Sequence, residues 1–215
     1  GSSEQHVVFR NNDLPGVVMC SALDRLMRLY GVVPSAPVVV LAGNDLAYQT
    51  AFSSQDAGAN VEGIVDLRLH GHNTDLVAEA KRRNIPLYHG CGVYEAKTGW
   101  FNHRLSQVDV YQLDKTGDAT EKLASLDCGI LAMSAGFMPS YQLACQAGAV
   151  LSYDDTTSQF QLSNLPKGMH LAGSVNSVFS LNLVAADGRN AARQALKNLG
   201  LEPTSDISES EEVNC

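Results

Sequence analysis

No uninterrupted apolar run in this sequence approaches the roughly 20 residues needed to cross a bilayer as a helix, and no charged-then-apolar leader opens it. Basic residues are scarce: 15 Lys and Arg stand against 23 Asp and Glu, a formal charge of -8. A nucleic-acid or anionic membrane surface needs clustered Lys and Arg, so neither is expected as a partner. The short Lys81-Arg82-Arg83 run reads as a helix end, where cations favour the negative pole of the dipole. Five cysteines are scattered, and none forms C-x-x-C, which argues against a disulfide framework or a zinc site and for reduced thiols in cytoplasm. His70-Gly71-His72 has only Asp75 close by as a third ligand, so a polar loop is the favoured reading over a metal site. Ser134 precedes Ala135-Gly136, not the strained G-x-S-x-G elbow that exposes a nucleophile. No general acid–base pair stands out anywhere.

What the sequence does contain is alternation of strands and helices. Pro37 to Ala42 is a continuous apolar run flanked by turn residues, the pattern of a strand buried on both faces. Asp45 to Ala57 carries Leu46, Tyr48, Ala51 and Phe52 at helical spacing and stops at Gly58. Val61 to Val65 is a second buried strand with Asp66 at its end. Asn73 or Thr74 caps a helix running to Arg83, and Ile85 to His89 follows as a third strand. Helices between buried strands imply parallel pairing through right-handed crossovers. A helix over Leu14 to Tyr30, with Pro15 near its start and Gly31 as its stop, precedes this unit.

The pattern then changes. Val93 to Ala96 and Leu105 to Leu113 read as two antiparallel strands around Lys97-Thr98-Gly99, with Trp100 beside the turn as a packing residue and Lys115 to Asp118 ending the excursion. Cys128 to Met133 returns to the parallel sheet. Val150 to Tyr153 and Phe160 to Leu162 suggest a hairpin, His170 to Ala172 a short strand, and Val178 to Leu199 a long helix stopped by Gly200. Ser205 to Asn214 is acidic, Ser-rich and has almost nothing to bury.

The turn after the first buried strand is where a dinucleotide fold places its glycine fingerprint. Here the six positions are Ala42, Gly43, Asn44, Asp45, Leu46 and Ala47, so all three usual glycines are replaced. Asn44 stands where the backbone should approach a pyrophosphate, and Asp45 puts a carboxylate at a helix N-terminus, where it can cap but would repel an anion. Asp66 lies where an acid accepts a ribose 2′-hydroxyl. Arg68 is placed to stack on adenine or to pair with a 2′-phosphate, and both charges also read as solvated strand-end residues.

Several runs converge on one family. Asn11-Asn12-Asp13-Leu14-Pro15-Gly16-Val17 resembles the N-N-D-L-P-G-V segment of sarcosine oxidase alpha subunits, whose relatives include opine oxidase and hydrogen cyanide synthase subunits. Asn44-Asp45 with Ala47-Tyr48 resembles that family's glycine-poor turn. Ser134-Ala135-Gly136-Phe137-Met138-Pro139 is similar to the Gly-x-x-Pro segment that closes the nucleotide domain of disulfide-reductase-like flavoproteins. Ala172-Gly173-Ser174-Val175-Asn176 resembles the family's A-G-A-x-N-G segment. Ser174 stands where the wider superfamily carries an acid on the flavin side.

The resemblance implies an α/β fold: a Rossmann-like FAD/NAD(P)-binding domain, its parallel sheet bearing helices on both faces plus an antiparallel β excursion, with a partial second nucleotide-binding domain. It divides the chain into residues 1–32 as part of a flanking flavin-type domain, 33–140 as the NAD(P)-binding-type domain, 141–202 as the C-terminal part of the FAD/NAD(P)-binding domain, and 203–215 as an acidic linker. It further implies that whole subunits carry an intact G-x-G-x-x-G half and an aminomethyltransferase-like domain beyond this stretch. The implied cofactors are NAD at this domain and FAD in the full-length enzyme; the implied partners are a small-molecule dinucleotide and the other subunits of a heteromeric oxidase. Candidate cofactor-binding residues are Ala42, Gly43, Asn44, Asp45, Asp66, Arg68, Ser134, Gly136, Gly173 and Ser174. The implied reaction is oxidative demethylation of a secondary amino acid, with this chain alone inactive. The rival expectation is a non-catalytic scaffold or interface module with a degenerate nucleotide site.

Overall fold

The computed structural model describes residues 1–70, 73–99, 103–154 and 159–201. Trp100, His72 and the acidic stretch 203–215 lie outside the described residues. The chain divides into two compact units, one formed by Glu4–Gly136 and the other by Gly1–Ser3 with the described part of Phe137–Cys215. Along the sequence the strands are β1 (Ser2–Glu4), β2 (Val17–Met19), β3 (Val38–Ala42), β4 (Val61–Asp66), β5 (Leu87–His89), β6 (Cys91–Thr98), β7 (Leu105–Leu113), β8 (Ala119–Asp127), β9 (Ile130–Ser134), β10 (Phe137–Pro139), β11 (Val150–Asp154) and β12 (Gln159–Ser163). The helices are α1 (Cys20–Tyr30), α2 (Asp45–Asp56), α3 (Thr74–Arg82), α4 (Gln142–Gln146) and α5 (Leu181–Asn198).

In the larger unit five strands form one sheet in the order β2-β9-β3-β4-β5, and every neighbouring pair is parallel. β3 lies at its centre and is buried at all five positions. Its side chains alternate across the pleat. Val38, Val40 and Ala42 join Cys20, Leu23, Tyr48 and Ile64 on the face covered by α1, α2 and α3. Val39 and Leu41 join Val93, Val108, Val110 and Leu131 on the other face. That second face is covered by the antiparallel sheet β6-β7-β8. The α/β class and the parallel sheet stand as expected. The covering of one face differs from the expected pair of helical layers, because the chain between β5 and β9 forms strands instead of a crossover helix.

Three further elements differ from the sequence reading. The helix expected from Leu14 begins only at Cys20, since Val17-Val18-Met19 pair with Leu131, Ala132 and Met133 as an edge strand. Gly16 permits this join: its φ is 115°, and a Cβ there would lie 2.6 Å from the Gly129 carbonyl oxygen. The excursion has three strands, not two, and Lys115 to Asp118 is a turn inside it rather than its end. β8 is exposed or half-exposed throughout, so it carries no apolar run to announce it. Residues 4–32 belong to the larger unit, where β2 enters the parallel sheet and α1 packs against α2.

The helix stops follow the expected chemistry. Gly31 is left-handed at φ 64°, its N–H bonds to Met27 and the next N–H reaches back to Leu26. This is the Schellman arrangement that glycine favours after a helix. In the smaller unit β1 pairs with β10, β11 pairs with β12, and α5 runs from Leu181. His170 to Ala172 lie outside any strand there and lead into a 3₁₀ turn at Gly173–Asn176.

Candidate functional site

β3 and β4 end side by side, with Ala42 opposite Asp66. The carboxyl ends of parallel strands are where ligands bind in open α/β sheets. Gly43 leaves β3, donating its N–H to the Ser134 carbonyl at 2.7 Å. A Cβ on Gly43 would lie 2.9 Å from Ala135 Cα, so glycine is needed here for chain packing. Asn44 is the N-cap of α2: its Oδ1 accepts from the Ala47 N–H at 3.3 Å, while its Nδ2 donates to the buried Ser134 hydroxyl at 2.8 Å. An asparagine thus closes the turn where the fingerprint carries glycine, by satisfying one of the helix's orphan donors.

Asp66 is fully buried at the end of β4. Its Oδ2 accepts from the Tyr48 hydroxyl at 2.7 Å and from Arg68 Nη2 at 2.9 Å; its Oδ1 accepts from Arg68 Nε and from the Arg68 backbone N–H, both at 3.0 Å. The guanidinium therefore meets the carboxylate side-on, the geometry that two parallel charge-assisted bonds favour. Arg68 Nη1 continues to Asp45 at 2.8 Å, and Asn73 donates to the other Asp45 oxygen at 3.3 Å. Burial alone would raise the Asp66 carboxyl, but hydrogen bonds from Arg68 and Tyr48 outweigh it and hold the group below the ordinary carboxylate range. Desolvation and the Asp66 bond push the Tyr48 phenol up, and the two carboxylates push Arg68 up against its own desolvation.

The expected site residues of this unit are thereby brought together, though in an unexpected relation. They form two hydrogen-bonded sets at the strand ends: Asn44 with Ser134 between the ends of β3 and β9, and Asp45, Arg68 and Asp66 at the end of β4. The reading of Asp66 and Arg68 as solvated strand-end charges is corrected by the burial of Asp66. Ala42 is buried in the sheet, and Gly136 closes the unit at φ 131° with open space around its α-carbon. Gly173 and Ser174 lie in the other unit. There the Gly173 N–H donates to Asp187 Oδ2 at 2.8 Å, and Asn176 Nδ2 reaches the same carboxylate at 3.2 and 3.3 Å. Asp187, which with Gly188 belongs to the stretch that resembles the family's segment and helix, was not among the candidate cofactor-binding residues.

Immediately beyond Arg68 an open groove of about 590 Å³ runs between the end of β4, α3 and the end of β5. Its apolar wall is Leu69, Val77 and Ala78; its polar groups are His70, Thr74, Lys81 and His89. Thr74, Val77, Ala78 and Lys81 share one helical face by their spacing. Gly90 leaves room for the Leu69 side chain, from which a Cβ there would lie 2.9 Å. Sequence reasoning saw His70 only as a metal candidate and Lys81 only as a helix end. Their common feature, a side facing the strand ends, becomes visible once α3 is placed.

No protein-family model matches the chain. It is 29% identical over 201 residues to the sarcosine oxidase alpha subunit of Rhizobium meliloti (strain 1021), covering 94% of this chain and 19% of that one. It is 28% identical over 199 residues to the alpha subunit of Corynebacterium sp. (strain P-1), covering 91% and 20%. The hydrogen cyanide synthase subunit HcnB of Pseudomonas protegens is 26% identical over 226 residues, covering 94% of this chain and 47% of that protein. The chain is therefore a homologue of sarcosine oxidase alpha subunits over most of its length and spans about a fifth of theirs. Among solved structures, thioredoxin reductase of Lactococcus lactis superposes with a TM-score of 0.67 at 16% identity, over 93% of this chain and 64% of that one. L-Proline dehydrogenase of P. horikoshii gives 0.60 at 19% identity, over 94% and 34%. The fold is that of the FAD/NAD(P)-binding, Rossmann-like oxidoreductases.

Proposed function

We propose that Glu4–Gly136 is a nicotinamide-dinucleotide domain of a flavin-dependent amine oxidoreductase subunit of the sarcosine oxidase alpha kind. The observation that carries this reading is the groove beside Asp66, seated at the carboxyl ends of β4 and β5 in a chain homologous to those subunits along nearly all its length. A volume near 590 Å³ falls within the range of small-molecule sites, and an apolar wall with a few convergent polar groups is the composition such sites have. Leu69, Val77 and Ala78 suit the face of a purine, and Thr74, His70 and Lys81 suit a ribose and its phosphates. The turn itself is less accommodating, because Asn44 and Asp45 are engaged with Ala47, Ser134 and Arg68.

In the whole enzyme the reaction would be oxidative demethylation of a secondary amino acid, with glycine, formaldehyde and peroxide as products and with other subunits as partners in the cytoplasm. Bound flavin and nicotinamide groups supply the redox chemistry in such enzymes, and the protein supplies orientation and electrostatics. This chain's own contribution is to hold the adenosine end of a dinucleotide against α3 and to fix the strand ends through Asp66 and Arg68. Calorimetric titration of the purified chain with NAD, NADP and FAD tests the reading. Saturable binding of a nicotinamide dinucleotide, weakened by Leu69→Arg in the groove wall, supports it; the same heat from the variant counts against it.

A second reading has its own observation. Asn44, Asp45 and Asp66 are all consumed by protein partners, which is the expected state of a nucleotide turn retained as a scaffold. That reading predicts no heat with any dinucleotide.

A further inference from the structure

We infer that α1 is the interface of a twofold dimer, in which the α1 helices of two copies of this chain pack against each other around Leu29 and Tyr30. A surface helix carries one apolar stripe, turned to the core. α1 carries two. Cys20, Leu23 and Met27 are buried beneath it, while Leu26, Leu29 and Tyr30 lie on its outer side, the last two 67% and 66% exposed. Val32 and Val33, also exposed, extend that side beyond the helix end. A contiguous apolar patch of this kind marks an association surface. α1 packs against β2 and β9, at the opposite edge of the sheet from the groove beside β5, so the patch is independent of the dinucleotide reading.

The shape of the patch fits a second helix of the same kind. Ser21, Arg25 and Leu29 form one ridge at a spacing of four, and Ala22, Leu26 and Tyr30 form the next. The depression here has a volume of about 450 Å³ and is lined by Ser21, Ala22, Arg25, Leu26 and Tyr30. A ridge of another α1 seats in such a groove, and under a twofold axis each helix offers the other the same ridge and groove. Charge fixes the direction of the pair. Arg25 is exposed and has no ion-pair partner among the described residues. At the end of α1 the cap N–H groups of Gly31 and Val32 go to Met27 and Leu26, so the last carbonyls, those of Arg28, Leu29 and Tyr30, accept no backbone N–H among the described residues. That end of a helix carries partial negative charge. Arg25 stands one turn before Leu29, about 6 Å along the axis. With the helices antiparallel about an axis at Leu29 and Tyr30, each Arg25 passes the end of the other helix and meets those carbonyls. A parallel pair would set the two Arg25 side chains against each other.

Sedimentation equilibrium of the 215-residue chain, from micromolar to millimolar concentration, tests this. The expected result is a reversible monomer–dimer equilibrium. Leu29→Glu and Tyr30→Glu each place a charge in the interface and should weaken it at least about a hundredfold. Arg25→Ala should weaken it about tenfold. Leu183→Glu, at an exposed apolar position of the smaller unit, should leave it unchanged. All four positions are exposed, and far-ultraviolet circular dichroism verifies that the variants fold. A monomer at every concentration overturns the inference. So does a dimer that survives both glutamate variants of α1, or one abolished by Leu183→Glu, which would place the contact on the smaller unit. A dimer lost with Leu29→Glu but indifferent to Arg25→Ala also overturns it, because the antiparallel pairing requires that cation.

Discussion

Arg68 lies side-on against the buried carboxylate of Asp66, Nε to Oδ1 at 3.0 Å and Nη2 to Oδ2 at 2.9 Å, only two residues further along the chain. The pair ends β4 and at the same time ties it to α2 through Asp45. Because Asp66 has no exposed surface, removing its charge strands a partly buried guanidinium. Asp66→Asn is therefore expected to destabilise the chain by about 3 kcal/mol. Urea unfolding followed by circular dichroism checks this; a loss below about 1 kcal/mol would show that Arg68 finds water or Asp45 instead.

Tyr48, its ring buried in the core, supplies a further side-chain donor to that carboxylate at 2.7 Å. Tyr48→Phe keeps the packing and deletes the bond, so a cost of about 1 to 2 kcal/mol is expected. In a double-mutant cycle with Asp66→Ala the two losses should fall short of adding, since both remove the same hydrogen bond. Simple additivity would contradict the geometry.

Asp109 on β7 is a second buried carboxylate, held by Lys97 Nζ at 2.6 Å and Lys122 Nζ at 2.9 Å. Burial opposes its ionisation, but Lys97, Ser125 and Lys122 outweigh that and bring its carboxyl down to about 2. Asp66 is lowered as well. Both groups are thus more acidic folded than unfolded, where an aspartate titrates near 3.9. The stability they confer is complete above about pH 4 and is lost as pH falls through the folded values. Thermal unfolding measured between neutral pH and about pH 2 should show that fall, and Asp109→Asn should flatten it. An unchanged profile in the variant would remove Asp109 from the account.

The two glycines that frame α1 should respond very differently to alanine. Gly31 has a left-handed φ of 64° with nothing within 4 Å of the added carbon, so Gly31→Ala should cost about 1 kcal/mol. Gly16 combines φ 115° with a carbonyl oxygen 2.6 Å from that carbon, so Gly16→Ala should cost about 3 kcal/mol or more. Denaturation midpoints for the two variants give the comparison. This makes Gly16 of the Asn11–Gly16 run an architectural residue, as is Asn11, whose φ of 62° and Nδ2 bond to the Ala96 carbonyl fasten the run to β6.

Much of the fold was readable because burial leaves a signature in sequence. β3 is apolar at every position because both its faces are covered, and α3 announces itself by Asn73 at its cap, whereas the cap of α2 falls on Asn44, one residue before the Asp45 read from the sequence. β2 was hidden because three residues carry no period, and the helix that follows absorbed them. β8 was hidden because an edge strand facing water needs no apolar alternation. At the site, Asn44, Asp45, Asp66 and Arg68 were each visible as departures from a fingerprint. Their joining was not, since it depends on β3 and β4 ending in register and on Tyr48 pointing from α2 to the end of β4. The groove was invisible for a related reason: Leu69, His70 and Lys81 acquire a common purpose only after α3 packs beside β4.

The dinucleotide proposed here rests at the carboxyl ends of β3, β4 and β5. Amide chemical-shift mapping of the isotopically labelled chain during titration with NAD and with NADP tests it most directly. The account predicts saturable shifts at Asn44, Asp45 and Leu69 and along the Thr74, Val77 and Lys81 face of α3, with the outer strand β8 unmoved. Shifts centred elsewhere, or none at saturating nucleotide, would contradict it.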